Sequence, residues 1–350
     1  MPNKLRYGAY RMPAEWERQK STWIAWPHNK ADWPGKFTQI PWDFSKIITT
    51  LSKFQSVNIL VKNKSEKKNT VSFLDVLGAK KKNIKIIICK TDRAWTRDFL
   101  PIFLKDKKNS NILSNWQFNA WAKYKNFKND NRAYLKVKSF RKIKSINPIH
   151  MKKKVILEGG SIDVNGNGLI LTTKQCLLSK VQQRNKGFKI NDYNQIFNKF
   201  FGARKVIWLN KGIYGDDTHG HIDDIARFVS KDKIFIAKEN NKKDKNFKNL
   251  NENIKIINQF KKMNKEKLRI ICLPMPKPKF IEGVRVPASY LNFYIANKVV
   301  LIPAFDDPND KVVLKIFKKH FKKRKIIPIN CSTLVWGFGT LHCMTQQEPV

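Results

Sequence analysis

Short apolar runs of three to six residues alternate along this chain with stretches of helical period. The strand-like runs are Val57–Val61, Ile84–Cys89, Val155–Leu157, Leu169–Thr172, Lys205–Leu209, Ile234–Ala237, Arg269–Leu273, Lys298–Pro303 and Lys325–Ile329. Helical spacing marks Trp42–Phe54, Asn191–Phe201, Asn251–Lys262 and Asp310–Phe321. A β-rich run followed by a helix recurs every 60–70 residues or so, a period long enough to be one supersecondary unit. No Gly/Ser-rich or Pro-rich linker divides the chain. The pattern predicts an α/β protein organised as one domain over residues 1–350.

Composition narrows this picture. The 350 residues are 41% hydrophobic and 12% aromatic, enough to build a large core and too apolar for general disorder. No run of eighteen apolar residues is present to span a bilayer as a helix. The first residues, MPNKLRYGAYRMPAEWE, lack the apolar stretch of a secretory signal. Five scattered cysteines with no CxxC pair argue against a zinc ribbon or a disulfide framework. The expectation is a soluble protein of a reducing compartment, cytoplasmic.

The net charge of +43 would ordinarily suggest a polyanion partner. Its distribution argues otherwise. Lysines crowd Lys64–Lys85, Lys231–Lys267 and Lys318–Lys325, whereas Cys331–Val350 has no Lys or Arg and Gly212–Val229 has four aspartates against one arginine. Nucleic-acid binders place basic and aromatic residues around the functional motif; here they avoid it. The lysines read as solvated surface, with no specific nucleic acid and no membrane expected as partner.

Five segments concentrate chemistry. Asp92–Asp98 (DRAWTRD) follows a strand and sets Trp95, Arg97 and Asp98 at a loop that could rim a ligand; a surface Arg97–Asp98 pair is the bland alternative. Glu158-Gly159-Gly160 is followed by Asn165–Gly168 (NGNG), a hairpin signal. Asp216–Asp224 (DDTHGHIDD) packs two histidines and four aspartates into nine residues. It supports either His219, His221 and Asp223 as metal ligands on one face of an extended strand or His221 as a general base beside Asp223. Gly337–Glu348 delivers Cys343 after Gly337-Phe338-Gly339, and the other four cysteines sit in or beside apolar runs. Pro287–Ile295 is a core stretch with Ser289 and Asn292 as candidate pocket groups.

In their order along the chain, MPAEWE and TWIAWPHN, DRAWTRD, EGGSIDVNGNG, DDTHGHIDD, ASYLNFYI and GFGTLHCMTQQEP resemble the agmatine deiminase family of guanidine-modifying enzymes, within the arginine and peptidyl-arginine deiminase superfamily. The resemblance implies a five-bladed α/β propeller with pseudo-fivefold ββαβ repeats, an active site on its axis, and neither metal nor cofactor. It implies Cys343 as nucleophile, His221 as general acid and base, Asp98 and Asp223 as carboxylates clamping the guanidinium, and Glu158 as partner of His221. Trp95, Gly159, Gly160, Asp217 and Gly339 match substrate-contacting positions. Departures are Phe99-Leu100-Pro101 after Asp98, His219 and Phe338.

A guanidinium is a poor electrophile, so a thiolate suits attack on it, and paired carboxylates match its N–H geometry. The implied substrate is a small cationic guanidine, agmatine, converted to N-carbamoylputrescine and ammonia on the way to putrescine and the polyamines. For a diamine-like tail the far end of the pocket should be acidic, through Asp216 and Asp217, and free of arginine. Arg97 or Arg227 pointing inward would favour free or peptidyl arginine instead, by pairing a carboxylate. The role of His219 and the existence of a homo-oligomer are left open by the sequence.

Overall fold

A computed structural model describes residues 8–350. Five small sheets repeat one connectivity, in which an antiparallel pair is extended by a parallel strand across a helix. Ile102–Lys105 and Asn111–Ser114 pair antiparallel, and Ser145–Ile146 adds in parallel after helix Lys128–Arg141. Asp163–Val164, Leu169–Thr173 and Lys205–Leu209 do the same around helix Ile190–Phe201. Ala226–Ser230, Lys233–Lys238 and Arg269–Pro274 follow around Phe247–Asn264. Tyr294–Ala296, Val299–Ala304 and Lys325–Asn330 follow around Pro308–His320. The fifth sheet joins the chain's ends. Gln346–Pro349 lies antiparallel to Gln19–Ala25, which continues in parallel to Ser56–Val61 across Ile40–Ser52 and to Ile84–Ile88 across Lys64–Val76.

Local chemistry explains these elements. Val299–Ala304 carries the β-branched Val299, Val300 and Ile302 and is buried along nearly its whole length, as a central strand covered on both faces must be. Pro308–His320 starts where Asp307 accepts a hydrogen bond from Asn309 N at 2.9 Å and Asp310 caps in return, with Pro308 in the first turn and Lys318, Lys319 and His320 in the last. Its buried face carries Val313 and Phe317, and Phe317 meets Phe235, Phe293 and Phe321 at ring distances of 5.0 to 5.7 Å.

Two lysine-rich helices, Lys64–Val76 and Lys128–Arg141, lie where hydrophobic spacing gives no helix. The first buries only Thr70 and Leu74, the second only Asp130, Ala133 and Val137, so polar or small residues at buried positions interrupt the apolar stripe. Asn63 nevertheless marks the first start by accepting from Glu66 N at 2.8 Å. Val155–Leu157, expected as a strand, makes only one isolated bridge, between Ile156 and Gln117. The Asn185 side chain takes the backbone N–H of Ile156 at 2.9 Å and donates to its carbonyl at 2.8 Å, standing where a neighbouring strand would. Lys262, Lys265, Lys267, Lys318, Lys319, Lys322 and Lys323 all face solvent. Among the described residues no helix is long and apolar enough to cross a membrane.

Candidate active site

The segment entering the first strand of each sheet carries one reactive group or more. Asp98 precedes Ile102–Lys105, Glu158 precedes Asp163–Val164, His221 and Asp223 precede Ala226–Ser230, Asn292 precedes Tyr294–Ala296, and Cys343 precedes Gln346–Pro349. Equivalent strand entries in five like-built sheets thus supply one cluster.

At its centre the Cys343 thiol, 5% exposed, is 3.1 Å from Asn292 Nδ2 and 3.7 Å from Asp223 Oδ2. Asn292 Oδ1 accepts from the backbone N–H of His342 and of Cys343, at 3.0 and 3.3 Å, and from Thr340 Oγ1 at 2.9 Å. The amide therefore fixes both the thiol and the loop that delivers it. Burial, and then the carboxylates of Asp223, Asp224 and Asp98, hold the Cys343 thiol well above its ordinary pKa.

His221 is fully buried, and neither ring nitrogen has a hydrogen-bond partner. Its Nδ1 lies 3.9 Å from Asp98 Oδ1 and 4.0 Å from Asp223 Oδ1, and its Nε2 lies 3.9 Å from Glu158 Oε2. Burial works against the imidazolium, but Asp98, Cys176 and Glu158 outweigh it and raise the His221 pKa well above normal. Glu158 is drawn down to about 2, because Arg184 and His221 overcome the burial that opposes its ionisation. Arg184 Nε reaches Glu158 Oε1 at 2.8 Å, and Glu158 Oε2 stays unpartnered. Asp98 is pushed up to about 6 by burial, against the His221 cation and with Asp223 and Glu158 adding to the rise. It accepts from Trp121 Nε1 at 2.9 Å and from Gly160 N at 3.0 Å. The paired glycines are explained by close approach. A Cβ on Gly160 would stand 2.6 Å from His221 Nδ1 and 2.8 Å from Asp98 Oδ1, and one on Gly159 would stand 2.3 Å from the Arg97 carbonyl oxygen.

His342 bridges two carboxylates, with Nδ1 at 2.7 Å from Asp223 Oδ2 and Nε2 at 2.8 Å from Glu15 Oε2. Burial opposes the ionisation of Glu15, but Arg227, His342 and Arg97 hold its carboxyl well below the usual range. Arg97 and Arg227, candidates for turning inward, are spent in this network. Arg97 contacts Gln347, Glu15 and the His342 carbonyl; Arg227 contacts Asp163, Glu15 and the carbonyls of Leu291 and Phe293. An exposed Arg97–Asp98 pair is excluded, since both residues are buried and face different partners.

A cavity of about 350 Å³ opens onto Cys343, lined by Trp95 and Asp98 near the thiol and by Asp32, Arg93, Tyr124 and Asp217 farther out. A Cβ on Gly339 would touch both Cys343 Sγ at 3.3 Å and Trp95 Cζ3 at 3.1 Å, so this glycine lets the indole close over the thiol. Three sequence expectations need correction here. Asp216 does not face the cavity's far end: its oxygens accept from Thr218, from Gly220 N and from His221 N, and so fold the loop. The pocket is not free of arginine, because Arg93 lines it. His219, His221 and Asp223 do not share a strand face: His219 has φ 67 and meets Ser179, while Ile222–Asp224 is a helical turn. Left-handed backbone at His219 breaks the period of two.

Other site residues escaped sequence reasoning. Trp121 sits in three successive left-handed residues, Ala120, Trp121 and Ala122 (φ 49, 58 and 55), a strain that neither Ala nor Trp announces. Cys176, expected as core, is buried but lies beside the reactive groups: its Sγ and the nearest ligand atoms of Glu158 and His221 all fall within 4.8 Å. The Thr-Thr pair ahead of it, which caps its helix through Thr173, was the only local sign. Glu15 lay in the MPAEWE motif without an assigned task.

The model of the Porphyromonas-type peptidyl-arginine deiminase family matches residues 11–349. A Legionella pneumophila protein named as a candidate agmatine deiminase is 31% identical over 347 residues, covering 98% of this chain and 96% of its own. Among solved structures, a C. jejuni agmatine deiminase cysteine-to-serine variant with substrate bound superposes with TM-score 0.86 at 28% identity, over 97% of this chain and 96% of that one. The agmatine deiminase of Enterococcus faecalis gives TM-score 0.88 at 27% identity, with the same coverage. This chain belongs to the Porphyromonas-type peptidyl-arginine deiminase family, the family of those agmatine deiminases.

Proposed function

We propose that the protein hydrolyses the guanidinium of agmatine, giving N-carbamoylputrescine and ammonia, a step toward putrescine. One observation carries the reading. Four fully buried polar atoms, His221 Nδ1 and Nε2, Glu158 Oε2 and Asp223 Oδ1, have no partner and gather beside Cys343. Orphaned polar atoms at this density are costly unless a ligand satisfies them. A planar cation with several N–H donors fits the carboxylates.

In this mechanism Asp98 and Asp223 hold the guanidinium N–H groups, and Trp95 covers its plane. The cation's charge offsets the carboxylates that keep the thiol protonated, so substrate binding favours release of the thiol proton to solvent and leaves the thiolate, with the His221 imidazolium keeping its own proton for the leaving group. Cys343 sulfur then forms a bond to the guanidinium carbon. His221, oriented by Glu158, gives its proton to the departing nitrogen, which leaves as ammonia. Water, deprotonated by His221, attacks the resulting thiouronium, the C–S bond breaks, and the ureido product leaves with the thiol restored. Gly159, Gly160 and Gly339 keep the walls close to the substrate, and Asp217, paired with Lys123 and Tyr124, forms part of the cavity lining beyond them.

We read the five like-connected sheets as blades of a five-bladed propeller, with this site on the axis, and residues 1–350 as one deiminase domain. Support comes from the five strand entries, which are distant in sequence yet supply one cluster. Arg93 in the cavity wall favours a second reading, in which the tail carries a carboxylate, as in free or C-terminal arginine. Comparing kcat/KM on agmatine, arginine and a C-terminal-arginine peptide under one set of conditions decides between them. Arginine or the peptide exceeding agmatine by more than about tenfold, roughly 1.4 kcal/mol, would reject agmatine as the substrate.

A further inference from the structure

The cavity's outer wall carries two acids, and they are not equivalent. Asp217, the acid expected from the sequence, has both oxygens engaged, one by Lys123 and the other by the Tyr124 hydroxyl at 2.7 Å. Asp32 differs. Its side chain is 4% exposed and lines the same cavity; Oδ1 accepts from Asn29 Nδ2 at 3.1 Å and Arg93 Nη1 at 2.8 Å, while Oδ2 has no partner. Arg93 is itself held away from free rotation. Its Nη2 donates to Asn126 at 2.9 Å, and its guanidinium stacks 4.2 Å from the Tyr124 ring and 5.4 Å from that of Trp121.

Asp32 is also tied mechanically to the reaction centre. It ends the short turn Lys30–Asp32, and the next residue, Trp33, is fully buried, donates to the Leu334 carbonyl at 3.0 Å and packs 5.2 Å from Trp95. The indole over the thiol and the acid farther out thus lie on two segments joined through the Trp33–Trp95 ring contact, so their spacing can act as a ruler for substrate length.

We infer that Asp32 is a specificity-determining residue, its free Oδ2 receiving the ammonium at the tail of a guanidino-alkylamine, with Arg93 as the positioning residue that aims it. The inference rests on the guanidine-hydrolase reading and adds the recognition of the tail. A carboxylate left with one oxygen unpaired in a nearly closed wall is an acceptor awaiting a cation. Arg93 commits Nη1 to Asp32 and Nη2 to Asn126 and keeps only Nε unpartnered, so no free fork remains for bidentate pairing with a second carboxylate.

Wild type and Asp32→Asn should be compared on agmatine, on n-butylguanidine, which keeps the guanidinium and carbon chain but lacks the ammonium, and on L-arginine. The expected result is a KM for agmatine raised at least tenfold in Asp32→Asn with kcat within about threefold, and butylguanidine turnover unchanged. Unchanged turnover of butylguanidine also reports an intact fold. Equal losses on agmatine and butylguanidine, or no loss on either, would overturn the inference. So would a wild-type preference for arginine that Arg93→Gln removes, which would assign tail recognition to the Arg93 cation. Wild type inactive on every guanidine would reject the catalytic reading itself, and this one with it.

Discussion

Replacing Gly160 by alanine adds one methyl group where the site has no room for it. That methyl would lie 2.6 Å from His221 Nδ1, 2.8 Å from Asp98 Oδ1 and 3.1 Å from His221 Cε1. Ordinary non-bonded contact begins near 3.5 Å, so imidazole and carboxylate must retreat by about 0.7–0.9 Å. The glycine cannot move instead without breaking its N–H contact to Asp98 at 3.0 Å. Overpacking of this kind costs about 1–3 kcal/mol of stability, which a chain of this size can absorb. Misplacing catalytic groups by about 1 Å costs on the order of 100-fold in rate, near 2.7 kcal/mol. Gly160→Ala should therefore fold, with circular dichroism like wild type and a modestly lower Tm, and lose about 100-fold in kcat on agmatine. Ureido-product formation measures this directly. A kcat within threefold of wild type would show that His221 and Asp98 need not stand where they do, and would refute the assignment of both.

Cys343→Ala should remove turnover while keeping the fold; activity above about 1% of wild type would leave less than roughly 2.7 kcal/mol for the nucleophile and sink that role. Because burial raises Asp98 to about 6 and it must be ionised to hold a cation, kcat/KM should climb most steeply with pH below about 6, and it should keep rising above that because the Cys343 thiol, held well above its ordinary range, must also lose its proton, with His221 protonated throughout. A profile flat from pH 5 to 7 contradicts this. Arg184→Met strands the Glu158 charge in a fully buried position and should cost about 3–5 kcal/mol in urea unfolding; a loss under 1 kcal/mol would mean that Glu158 is not held as an anion. Limited trypsin digestion should first cut the lysine-rich stretch around residues 240–249, and release of two separately folded halves would reject the single-domain reading.

Several features of this protein are written in its local sequence. The central strands announce themselves because Val, Ile and Leu runs such as Val299–Ala304 are buried on both faces. The hairpin at Asn165–Gly168 follows from residues that accept left-handed backbone, with Gly166 and Gly168 at φ 66 and 88. The motif residues Asp98, Glu158, His221, Asp223 and Cys343 stand out because reactive side chains cluster in lysine-free segments, and the structure gathers all five. Helices Lys64–Val76 and Lys128–Arg141 stay hidden because polar or small residues, Thr70 in one and Asp130 and Ala133 in the other, take buried positions that large apolar side chains hold in Pro308–His320.

What only the tertiary structure decides is which of two similar side chains faces the cavity. Asp216 and Asp217 are neighbours, yet one closes a loop through backbone amides and the other lines the cavity. Arg97 and Arg227 adjoin motif residues and turn into the Glu15 network, while Arg93, five residues before Asp98, reaches the pocket. For Arg97 and Arg227 the direction depends on partners far along the chain, Gln347 and Glu15, as it does for Glu15 and Asp223 with His342, whereas Asp216 is turned by its own loop. A sequence fixes the chemical type of each side chain at its position; the field that sets its pKa, its partner and its free lone pair is made by strands that meet only when the chain has folded.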